Sequence, residues 1–98
     1  MEASLHLLCE EIRRLADPCR IVLYGSKYTP SGQRLREVNL CLVVEDEPKT
    51  VERRLYRELD CEISFNLLVY SRDDWTRLLA DKTSYASDID RKGVVLYG

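Results

Sequence analysis

The residues with chemical potential fall in three short stretches. Gly25-Ser26 directly follows the apolar run Ile21-Val22-Leu23-Tyr24. A glycine at the end of a strand lets the backbone come close to a ligand. Its amide, the Ser26 amide and the Ser26 hydroxyl can donate to phosphate oxygens. Lys27, Arg34 and Arg36 add positive charge in the polar stretch that follows. Glu37-Val38-Asn39 opens a second apolar run ending at Val44, and Asn66 lies inside a third, Ser64-Phe65-Asn66-Leu67-Leu68-Val69-Tyr70. A carboxylate can anchor a hard cation or accept a proton. An asparagine oxygen is also a hard ligand, but it carries no charge and takes no proton.

These residues have to be held by elements that the hydrophobic pattern predicts. Leu5, Leu8, Ile12 and Leu15 recur at helical spacing and predict a helix over residues 3–16, ended by Asp17-Pro18. Residues 21–24 read as a strand buried on both faces, broken by Gly25-Ser26. Residues 27–36, with Pro30 and Gly32, read as a polar loop, long for a link between strands and therefore a place to expect function. Residues 38–44 form the second strand. Glu45-Asp46-Glu47-Pro48 is a turn that puts negative charge at the start of a helix over 49–59. Residues 63–70 form the third strand, with Ile63, Phe65, Leu67 and Val69 on one face. Ser71 caps a helix over 72–80, in which Trp75, Leu78 and Leu79 read as core. A short helix over 83–91 and a strand over 94–97 complete the order. The expected fold is α/β (α+β): one domain over 1–98, with a single mixed sheet of about four strands and helices packed on it.

Read across its length, the stretch from Gly25 to Val44 resembles the minimal nucleotidyltransferase domains of the polymerase-beta-like superfamily. Their motif is Gly-Ser, about ten residues, Asp-x-Asp and an apolar strand. Gly25-Ser26 and Glu37-Val38-Asn39 stand at those positions. Asn66, with Ser64 as the other candidate, stands where a third acid is carried, and Gly93 to Tyr97 matches the apolar tail. The resemblance covers nearly the whole chain. It implies catalytic positions at Glu37, Asn39 and Asn66, and nucleotide contacts at Gly25, Ser26, Lys27, Arg34 and Arg36. It also implies Mg2+ and a nucleoside triphosphate as cofactor and substrate if the protein is active.

The departures from that motif are electrostatic. Nucleotidyl transfer uses paired metal ions that offset phosphate charge and orient the attacking and leaving oxygens. With Asn39 and Asn66 in place, two of three anionic anchors are gone. Glu37 is longer than Asp by one methylene, and a misplacement of about one ångström alone can cost roughly 100-fold in rate. Any metal would rest weakly on Glu37. Glu45, Asp46 and Glu62 lie at strand ends, too far along the strands to replace the missing acids. The expectation is a nucleotidyltransferase-like protein that is non-catalytic or impaired, possessing a residual nucleotide or phosphate pocket and acting through a helical partner protein, as in toxin–antitoxin pairs, or as a homodimer. The alternatives are an active nucleotidyltransferase transferring a nucleoside monophosphate to a protein or small molecule, and a plain interaction module.

Charge sets outer bounds on these readings. Fifteen Lys and Arg against seventeen Asp and Glu give a net charge of -2, which argues against general nucleic-acid coating or an anionic membrane surface. No apolar run reaches bilayer-spanning length. No secretion signal opens the chain, so a cytoplasmic location and free thiols at Cys9, Cys19, Cys41 and Cys61 are expected. The cysteines lack zinc-ligand spacing, and His6 is the only histidine. His6 and the scattered tyrosines read as ordinary surface or packing residues, including Tyr28 in the loop.

Overall fold

The computed structural model describes residues 1–98. In chain order it contains α1 (Ala3–Ala16), β1 (Arg20–Tyr28), β2 (Leu35–Val44), α2 (Pro48–Glu58), β3 (Ser64–Ser71), α3 (Arg72–Leu79), α4 (Tyr85–Lys92) and β4 (Val94–Tyr97). The expected α+β class is found. One mixed sheet has the order β3-β2-β1-β4, with β1 antiparallel to β2 and β4, and β2 parallel to β3. The parallel pair is joined across the sheet by α2, as such pairs require.

Each helix is delimited by local chemistry. The Glu2 carboxylate accepts from the amides of Ser4 and Leu5 at the start of α1. Asp17 closes that helix in the left-handed region (φ 43°), its amide bonded to the Arg13 carbonyl, and Pro18 prevents continuation. Glu47 plays the Glu2 role for α2, accepting from the amides of Lys49 and Thr50 just before Pro48 at the first helical position. Ser71 and Ser84 cap α3 and α4.

Alternation along the strands splits the core in two. Val38, Leu40, Leu42 and Val44 of β2 join Leu5, Leu8, Ile12, Val51 and Leu55 under α1 and α2. Cys41 and Val43 join Val22, Trp75, Ala86 and Ile89 under α3 and α4. The sheet is thus covered on both faces, and β2 is buried without a break from Leu40 to Val44. No helix is long and apolar enough to cross a membrane.

Two sequence expectations need correction. Gly25-Ser26 does not break β1, and residues 27–36 are not a loop. The antiparallel ladder continues through Gly25↔Asn39, Ser26↔Val38, Lys27↔Glu37 and Tyr28↔Leu35, leaving only residues 29–34 as a connection. Tyr28 is consequently the last residue of a strand. The cause is cooperative pairing. Two register irregularities, between Leu23 and Gly25 and between Lys27 and Tyr28, absorb the misfit. A tight turn then closes the hairpin: the Gly32 amide donates to the Thr29 carbonyl at 2.7 Å, with Pro30 second in the turn and Gly32 at φ 75°.

Candidate functional site

β1, β2 and β3 bring the sequence-identified polar residues into two adjacent rows. The first row is Gly25, Asn39 and Asn66; the second is Lys27, Glu37 and Ser64. These rows continue the sheet face that carries Cys41, Val43 and Leu68, beyond the end of the core under α3 and α4. Because successive strand residues alternate, Glu37 and Asn39 share that face with Cys41. Asn66 shares it with Leu68.

The irregularity at Tyr24 decides which β1 residues join them. Val22 and Tyr24 both pack toward α3 and α4. The extra residue then resets the alternation, so Gly25 and Lys27 come into register with Asn39 and Glu37, while Ser26 falls opposite the buried Val38 of the other face. The structure therefore gathers Gly25, Lys27, Glu37, Asn39 and Asn66, and leaves the exposed Ser26 outside the rows. Arg34 and Arg36 go elsewhere. They line a cleft of about 290 Å³ with Glu2, Gln33, Glu62 and Ser64, next to the start of α1. Lys27 is not part of that cleft.

Within the rows the polar groups satisfy one another. The Asn66 Nδ2 donates to Asn39 Oδ1 at 2.9 Å. The Lys27 ammonium lies 3.6 Å from the Glu37 carboxylate, so the partner of Glu37 is a cross-strand lysine. Gly25 is required here by space: a Cβ at that position would stand 2.6 Å from Asn39 Nδ2. Tyr24 borders the rows and meets Tyr85 edge to face, ring centroids 6.2 Å apart. Burial, with Tyr85 second, pushes the Tyr24 phenol up to about 12. Nothing in the local pattern around Tyr85 announced that contact, which depends on how α4 returns over β1.

The donor chemistry does not fit the metal pair that nucleotidyl transfer uses. Octahedral Mg2+ takes its anionic anchors from carboxylates. The only carboxylate in the rows, Glu37, already faces an ammonium. The two amides spend one donor and one acceptor on each other. Asn66 offers no site for a proton from an attacking hydroxyl. Other acids lie away from the rows: Glu45 is held by Arg72 at 2.7 Å, and Glu62 lines the clefts beside α1. No protein-family model, curated protein or solved structure matches this chain.

Proposed function

We propose that this protein is a nucleotidyltransferase-like domain that does not carry out metal-dependent transfer and works by binding, through a partner protein. The observation that carries this reading is the Asn39 to Asn66 hydrogen bond beside the Lys27–Glu37 ion pair. Together they make a nearly neutral, mutually satisfied group where a transferase needs unpaired negative charge. A nucleotide held without metal would rest on Gly25 and Lys27, since Arg34 and Arg36 line another cleft.

Calorimetric titration with ATP, with and without Mg2+, tests the reading. Binding that is absent or indifferent to Mg2+ is the expected result, and no radiolabel should pass from ATP to any acceptor. Mg2+-dependent binding, with label transfer abolished by Glu37→Ala, overturns it in favour of an active enzyme. The triple variant Glu37→Asp, Asn39→Asp, Asn66→Asp restores three carboxylates in adjacent register positions. It should acquire Mn2+ affinity that the natural chain lacks. If it does not, the placement of Asn66 as the third position is wrong.

A further inference from the structure

The two edges of the sheet are finished differently. On the outer side of β3 the Tyr56 hydroxyl accepts from the Leu67 amide at 2.9 Å, and the Tyr56 ring stacks on Phe65 at 5.4 Å. A side chain from α2 thus occupies a backbone donor that an added strand would need. β4, at the opposite edge, has no such cover. No charged residue and no proline occurs from Gly93 to Gly98. Val94 and Val95 are 58% and 44% exposed. Neighbouring strand residues point to opposite faces, so the helices leave the first half of this strand uncovered on both sides. Leu96 and Tyr97 are half-buried against the core under α1 and α2, and the Arg13 guanidinium lies 4.2 Å over the Tyr97 ring. Free edges are ordinarily protected by charge, proline or a covering element. The short length of β4 and the irregularity in its pairing with β1 limit the ladder, so apolar side chains must supply much of any association.

We propose that the open edge of β4 pairs antiparallel with β4 of a second copy of this chain, about a twofold axis, to form one continuous sheet. Three features select that occupant. Residues 94–97 are all apolar, so antiparallel self-pairing sets Val94 of one copy across from Tyr97 of the other and Val95 across from Leu96, with no charges opposed. The charges beside the strand are also matched within each copy. Arg91 and Lys92, which precede β4, pair with Asp88, and Arg20 at its far end pairs with Asp90. Finally, Tyr56 closes the β3 edge, so β4 cannot stack onto β3 of another molecule. Association through one edge alone gives a closed pair rather than a filament. The proposal is independent of the Asn39 and Asn66 site, and either can fail without the other.

Light scattering coupled to size exclusion, on the full chain across a concentration series, reads the result directly. Two copies per particle are expected, giving way to one on dilution. The double variant Val94→Lys, Val95→Lys replaces exposed side chains and should give one copy at every concentration while keeping its circular dichroism spectrum. In a mixture of isotope-labelled and unlabelled natural chains, inter-copy contacts should map to residues 94–97. This measurement decides the matter if the double variant does not fold. A single copy at all concentrations overturns the proposal, including the case in which the edge takes up only a foreign extended peptide. A dimer unaffected by the lysines, or one whose inter-copy contacts map elsewhere, overturns it as well.

Discussion

At the residue scale, the decisive contact is the hydrogen bond between the Asn39 and Asn66 amides. Its geometry depends on Gly25, because any side chain there meets Asn39 first. The obstacle is the far end of a rotatable side chain, so Gly25→Ala should displace the Asn39 amide and leave the backbone in place. We expect a stability change of roughly 0.5 kcal/mol or less in either direction, together with altered side-chain amide signals for Asn39 and Asn66 in nuclear magnetic resonance spectra. Unfolding of this variant would show that Gly25 is needed by the strand itself. The positions of Glu37, Asn39 and Asn66 were legible in the sequence because each sits in an apolar run whose alternation can be counted. The partner of Glu37 was not. Lys27 reaches it only because one extra residue at Tyr24 resets the alternation of β1. Such a bulge leaves no mark that distinguishes it from a strand end.

At the element scale, the reading of Gly25-Ser26 as a break and of residues 27–36 as a loop failed for a physical reason. Composition reports what a segment prefers alone, and antiparallel pairing outweighs that preference when both strands have partners. The turn itself was visible, since Pro30 and Gly32 lie midway between Lys27 and Glu37. Helices were easier to place because caps and periodicity act within a few residues. The last junction, from α4 into β4, depends on Gly93 for space rather than for an unusual backbone angle. A Cβ there would lie 2.5 Å from Val22 Cγ1 and 2.6 Å from the Ile89 carbonyl oxygen. Two of its three nearest neighbours are backbone oxygens, of Ile89 and Leu23, which cannot rotate away. Gly93→Ala should therefore lower the unfolding free energy by about 1–3 kcal/mol, the range typical of overpacking, as a shift in the urea midpoint without a change in slope. A midpoint equal to that of the natural chain would mean that β4 is free to move off β1.

At the scale of the whole molecule, β2 ties the two cores together, with Leu40 and Leu42 serving one and Cys41 and Val43 the other. Loss of packing on either face is therefore felt through the same strand, and unfolding should be a single transition, as is usual for domains of this size. That coupling gives the buried thiols a global effect. Burial pushes the Cys41 thiol from 9.0 up to about 12. It pushes Cys9 up to about 11, with Glu10 adding to the effect. Between the ordinary and the raised values, the folded chain holds protons that the unfolded chain has released. Stability then falls as pH rises, because unfolding is accompanied by proton loss. The contribution is complete below pH 9 and disappears progressively as pH approaches about 12. Cys41→Ala removes one of these titrating groups from the core under α3 and α4. Its urea midpoint should start lower at neutral pH, from the packing lost, yet decline less steeply than that of the natural chain above pH 9. Parallel decline in the two proteins would mean that the Cys41 thiol ionises inside the folded molecule, and that the α3–α4 layer opens to solvent before the sheet does.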